Sequence, residues 1–111
     1  MTFGTNSRSN IPFEFHLEKL SEPSRTILVN LRKFVISLGS NVIEEVRPHR
    51  IVYSKTMNFR IFLDIEPRSN DSLILSIRYG KDIPSITVKV VSVEDTERAK
   101  TQIAEAYQKI R

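Results

Sequence analysis

From Ser24 to Leu38 the apolar residues recur at helical spacing. Ile27, Leu28, Leu31, Phe34, Val35 and Leu38 fall on one stripe, which predicts a helix packed on one side. Ser21 is a suitable N-cap, Glu22 favours the positive end of the helix dipole, and Pro23 fits a first turn, where a missing N–H has no partner anyway. Gly39 supplies the stop. Val29 and Ile36 lie off the stripe, on nearly the opposite side. Either an aromatic arm covers them or they form a seam for a second copy of the chain, which makes them candidate oligomer contacts. The arm is "FEFHLEKL", where Phe13, Phe15 and Leu17 alternate with Glu14, His16 and Glu18, the pattern of an extended segment. Residues 1–12 contain Gly4 and Pro12 and show no period, so a flexible tail is expected there, with residues 13–111 as a single domain.

Past Gly39 the period changes from helical to two. "NVIEEVRP" is open between a short strand and a connecting turn, and Pro48 ends it. Four segments then carry strand chemistry. "RIVYSK" is β-branched and aromatic. "NFRIFLDIE" sets Phe59, Ile61, Leu63 and Ile65 against Arg60, Phe62 and Asp64; "SLILSIRY" sets Leu73, Leu75, Ile77 and Tyr79 against Ile74, Ser76 and Arg78. In "SITVKVV", Ile86, Val88 and Val90 alternate with Thr87, Lys89 and Val91. The connections "PRSND" and "GKDIP" are too short for parallel crossovers, so the strands form an antiparallel meander. A last helix starts at Ser92, with Asp95 at capping-box spacing, and carries Ala99, Ile103, Ala106, Tyr107 and Ile110 on one narrow stripe. The expected fold is a two-layer α+β domain: a four-stranded antiparallel sheet with an N-terminal and a C-terminal helix on one face. The other face, with Arg60, Phe62, Ser76, Arg78, Thr87 and Lys89, should meet water or a partner.

Composition narrows the chemistry. The 111 residues include no cysteine, which removes disulfides, thiolate catalysis and sulfur-ligated zinc and suits a reducing cytoplasm. No apolar run approaches the roughly 20 residues that span a bilayer, and no signal peptide is evident, so a cytoplasmic chain with no membrane partner is expected. Three glycines, at 4, 39 and 80, write neither a phosphate loop nor a dinucleotide fingerprint, and no cofactor is implied. His16 and His49 lack the spacing of a metal pair, and no metal site is implied either; each is expected to be solvated or locally bonded. A metal-dependent nuclease would need a second carboxylate near Asp64, where Thr87-Val88-Lys89 offers threonine. Asp64 and Glu66 instead read as same-face carboxylates paired with arginine.

Net charge is +4, so the position of the charge matters more than its sum. Tyr53 and Lys55 share one side of their strand, which feeds the strand bearing Arg60 and Phe62. With Arg78 and Lys89 these make a candidate ligand surface of rings among cations, suited to single-stranded nucleic acid or another anion. The expectation is therefore a non-catalytic binding domain with a nucleic acid or another protein as partner, a metal-dependent nuclease being the weakest alternative. The alternative is a structural module, monomeric or weakly homo-oligomeric, that uses Val29 and Ile36 or a free strand edge.

Read in order, "RTILVNLRKFVISLGSNVIEEV", "IVYSKTMNFRIFLDIEP" and a closing helix from "SVEDTERA" resemble a small bacterial and archaeal domain of unknown function, often found at the C-terminus of chains labelled predicted transport proteins or nuclease-associated proteins. The resemblance covers roughly residues 13–110 and is sharpest at "SLG", at Tyr53, Lys55, Asn58 and Phe59, and at Pro67. It implies helix, antiparallel strands and helix, and no reaction. Where that domain carries a longer segment rich in aromatics and glycine before its last strand, this chain has only "YGKDIPS".

Overall fold

The computed structural model describes residues 6–7 (backbone), 10–56 and 60–110. Its elements are β1 (Asn6–Ser7), α1 (Glu14–Leu17), α2 (Ser24–Ile36), β2 (Val42–Val46), β3 (Ile51–Lys55), β4 (Ile61–Arg68), β5 (Ser72–Ile77), β6 (Ile86–Val90) and α3 (Val93–Lys109). Strands β2 to β6 form an antiparallel meander in chain order, and β1 adds a short parallel pairing to β2. The class is α+β as the pattern implies, but the meander has five strands rather than four. Residues 1–5 and 8–9 of the expected tail, and Phe59 of the expected inward row, lie outside the described residues.

The added strand is β2, and its ambiguity in sequence has a physical cause. Val42, Glu44 and Val46 share the side that faces the helices, and a carboxylate in that row breaks the apolar pattern. Glu44 is buried nonetheless. Arg32 of α2 grips it with Nε on Oε2 and Nη2 on Oε1, both at 2.9 Å, and the Tyr53 hydroxyl donates to Oε2 at 2.8 Å. The guanidinium also lies over the Phe13 ring, 4.2 Å from its centroid. A buried carboxylate is tolerated here because its partners are charged or well aligned and no buried polar atom among the described side chains is left unbonded. Burial, reinforced by the neighbouring Glu44 charge, pushes the Tyr53 phenol well above its ordinary value.

Both long helices cover the same side of the sheet. Arg32 ties α2 there, while Lys55 of β3, in the same row as Val42, reaches the end of α3. Between the layers lie Ile27, Leu28, Leu31 and Val35 from α2, Ala99, Ile103 and Ala106 from α3, and Ile51, Tyr53, Leu63, Ile65, Leu73, Leu75 and Ile77 from the sheet. Ser92 caps α3 as expected, its Oγ accepting from the Asp95 N–H at 3.1 Å; the Asp95 carboxylate reaches the Val91 N–H instead of its own cap, and that bond lowers its pKa.

Four local expectations are corrected. The segment after Pro12 is a helical turn, not an extended arm: Phe13, His16 and Leu20 bury together, a spacing of three and four that competes with the alternation of Phe13, Phe15 and Leu17. His16, expected to be solvated or locally bonded, is buried, and its Nε2–H donates to the distant Arg47 carbonyl at 2.7 Å. Ser21 does not cap α2. Its N–H and hydroxyl both bond the Asp71 carboxylate in the β4–β5 turn, where Asp71 takes a left-handed φ of 60°, and these bonds hold the Asp71 pKa down. Gly39 is needed for space, not for handedness: a Cβ there would collide with the Tyr107 hydroxyl, which bonds Asn41.

The buried carboxylate yields a stability prediction. Arg32→Leu should cost about 3 kcal/mol, the low end for breaking a buried pair because the guanidinium keeps one side in water. In urea denaturation, Arg32→Leu combined with Glu44→Leu should lose clearly less than the sum of the two single changes; strict additivity would contradict the coupling.

His16 yields one in pH. Burial is the main cause lowering its pKa from 6.5, with Lys19 and His49 adding to it against the bond to Arg47. The unfolded chain therefore binds the proton more readily than the folded one. The contribution is complete above the ordinary imidazole value and is lost as pH falls through the lower, folded one. The thermal midpoint should drop more in the parent than in His16→Gln, which retains an N–H donor, between about pH 7 and 5. Parallel profiles would refute this.

Candidate anion-binding groove

The six expected ligand residues end up in four places. Phe62, placed by alternation on the open face, and Tyr53, expected beside it through its neighbouring strand, are both fully buried on the helix side. Tyr53 belongs to the Glu44 network. Phe62 packs edge-on against Tyr107 of α3, ring centroids 5.4 Å apart. The reason is a register shift in the β3–β4 pairing: Tyr53 pairs with Leu63, but the next residue, Ser54, pairs with Ile61, leaving Phe62 as an extra residue. Beyond this bulge inside and outside exchange, so Ile61 leaves the core row and Phe62 enters it.

Lys55 is committed to the helical layer. Its Nζ donates to the Ile110 carbonyl at 3.3 Å and lies 4.4 Å from the Tyr107 ring centroid, favourable at a helix C-terminus. Lys89 is exposed on the outermost strand, in the row of Ile74 and Glu66.

Arg60 and Arg78 do come together, at the sheet end where β4 begins and β5 finishes. With Lys81 they line a groove of about 580 Å³ whose remaining walls are Ile61, Gly80, Ile83, Ser85 and Ile110. Three cations and three isoleucines around one concavity give it a polar and an apolar side. The arrangement can receive an anionic group carried on an apolar body. Lys81, Ile83 and Ser85 were legible only as turn chemistry in "GKDIPS". The signal available was a lysine and an isoleucine in a loop directly following Arg78, but which way they turn depends on the loop's path.

Elsewhere the face away from the helices is balanced, not uniformly basic. Arg47 pairs with Glu45 at 3.0 Å and Arg68 with Glu66 at 3.2 Å. Asp64, buried at the centre, has Arg78 at 3.3 Å and Arg50 at 3.9 Å. This is the arginine pairing expected of Asp64 and Glu66. Among the described residues no three potential ligands from His, Asp and Glu converge on one point. Val29 and Ile36 of α2 are half-buried, and Val29 packs on the core. Among the described residues the large exposed apolar ones are Ile83, Ile86, Val91 and Val93, around β6. No described helix is long and apolar enough to cross a membrane.

Comparison with known proteins finds no match to this chain among family models, curated proteins or solved structures.

The bulge makes Phe62 a test of the whole assignment. Phe62→Ala should destabilise the protein by about 3–5 kcal/mol in chemical denaturation, as for an aromatic removed from a core. A ring on the open face would cost less than about 0.5 kcal/mol.

Proposed function

We propose that this chain is a binding domain, not an enzyme, and that it takes an anionic group of its partner into the groove between Arg60, Arg78 and Lys81. The observation carrying this reading is the convergence of those three cations with Ile61, Ile83 and Ile110 around one concavity. Arg78 serves two sides at once, since Asp64 orients its guanidinium from beneath at 3.3 Å. A guanidinium held by a buried carboxylate loses less rotational freedom when it meets a second anion. The resemblance to a domain of unknown function adds no chemistry to this reading. Part of the groove wall, Gly80, Lys81, Ile83 and Ser85, falls in the segment where this chain departs from that domain.

The nucleic-acid version of the expectation loses its stacking platform, because Tyr53 and Phe62 are both inside. Arg60, Arg78 and Lys81 gather at one end of the sheet, Lys89 stands apart on β6, and Glu45, Asp64 and Glu66, each paired with arginine, cross the rest of that face. A compact anion suits this better than a continuous phosphate track. A protein-interaction module is the second reading, favoured by the exposed Ile86, Val91 and Val93 at the sheet edge.

The test is a two-dimensional NMR titration of the protein with inorganic phosphate and with N-acetyl-leucine. The amides of Arg78, Gly80, Lys81 and Ser85 should shift, less so as salt is raised, and the shifts should vanish in the Arg60→Gln, Arg78→Gln double variant. If neither anion perturbs the groove at low ionic strength, the proposal fails.

A further inference from the structure

We infer that two copies of this chain pair edge to edge through β6, antiparallel about a two-fold axis at Val88, so that their sheets join into one.

Strand β6 is the last strand of the sheet, and among the described residues nothing pairs with its outer edge. Such an edge presents a row of N–H and C=O groups to a second strand. Part of the opposite border is covered by β1, so a pair joined through β6 uses one edge from each copy and closes at two. The apolar surface is disposed to match. Among the described residues the large exposed apolar side chains are Ile83, Ile86, Val91 and Val93, and they bracket this one strand. Ile83 and Ile86 lie before it or open it; Val91 and Val93 follow its end. An axis through the middle reverses one strand against the other and brings the first two of each copy towards the last two of its neighbour. A symmetric parallel pairing would instead turn one sheet over and set the helix side of one copy level with the open side of the other.

The register follows from the residues. About an axis normal to the sheet, helix sides stay together, so each residue meets one from its own row and the axis passes through a residue. An axis at Lys89 would place two ammonium groups directly opposite one another, which is destabilising. One at Thr87 would bring Pro84, which has no N–H to give, opposite Val90. An axis at Val88 pairs all five residues: Ile86 with Val90, Thr87 with Lys89, and Val88 with its own counterpart. The row of Ile86, Val88 and Val90, which lies beside Ile77, Leu75 and Leu73 of β5, then continues into the second copy. The exposed Ile86 gains cover at the end where the other copy's α3 begins with Val93. On the open side each lysine faces a threonine. Arg60 and Arg78 flank β4 and β5, inward of this edge, so the inference does not rest on the anion groove.

Sedimentation equilibrium of the intact chain between about 5 μM and 1 mM should give a reversible equilibrium of one chain with two, and nothing larger. Thr87 is exposed, so a charge there leaves the monomer folded. Thr87→Glu faces Lys89 of the other copy twice and should tighten the pair about fivefold at low salt, whereas Thr87→Lys should weaken it by a similar factor. The register is read by cross-linking, since the chain has no cysteine of its own. Under mild oxidation a mixture of Thr87→Cys and Lys89→Cys chains should form the mixed disulfide in preference to either chain with itself, because only that combination sets the sulfurs directly opposite. A chain that stays monomeric at the highest concentration, or that builds species larger than two, overturns the inference. So does a pair that responds alike to Thr87→Glu and Thr87→Lys, or that cross-links without preference for the mixture.

Discussion

One extra residue in β4 governs what this domain can present to others. At the step from Tyr53 to Ser54 the partner strand advances by two, from Leu63 to Ile61, and every side chain on the near side of that step exchanges faces. Phe62 gains a place against Tyr107, and Ile61 is turned out to become a groove wall. A bulge leaves one residue without a ladder partner, and here the cost is offset by burying an aromatic ring completely. The same event takes the ring of β4 away from the open face and leaves an aliphatic residue, Ile61, as a wall of the groove.

A second constraint works from the opposite edge. Glu44 brings a charge into the apolar layer, which would be prohibitive alone but is tolerable with a bidentate arginine and a phenol. The arrangement fixes α2 against β2 and β3 at one register, since a shift of one residue along either would strand the carboxylate. Arg32 in turn rests on Phe13, so the first helical turn is seated by the same contact. At the other end of the core, Tyr107 touches Phe62, bonds Asn41 and receives Lys55 over its ring, joining α3 to both the bulge and the start of β2. Polar groups thus locate the helices over a layer whose cohesion is aliphatic.

Both long helices, the core of the meander and the capping of α3 were legible because each rests on a local signal: a stripe of period 3.6, an alternation of period two, or a serine three residues before an acid. What failed shares a different physics. The strand holding Glu44 stayed open between strand and turn because its partner Arg32 lies 12 positions away. His16 was expected to be solvated or locally bonded because the carbonyl that accepts its hydrogen bond is 31 positions away. Phe62 was assigned to the wrong face because alternation presumes an unbroken ladder, and nothing in "FRIFLD" marks the bulge. Of the site, Arg60 and Arg78 were found by parity and charge. For Arg60 the parity argument was undone by the bulge, and it reaches the groove from a strand position the pattern had misjudged.

The two borders of the sheet are finished differently. Beside β2 the chain adds a two-residue parallel pairing, Asn6 with Ile43 and Ser7 with Glu44, which covers part of that border. Beside β6 there is no such cover among the described residues, and protection comes from brevity: five residues, Pro84 shortly before them, Lys89 within them and α3 starting soon after. A charge and a short run limit unregistered stacking of copies without closing the border to a single well-matched strand. Ile83, Ile86, Val91 and Val93 stay exposed around that border, although α3 could have carried larger side chains over them instead of the alanines it places at 99 and 106. α3 does pack on β6, so these residues stand outside a contact the helix already makes, and the border keeps an apolar rim beside its unpaired groups.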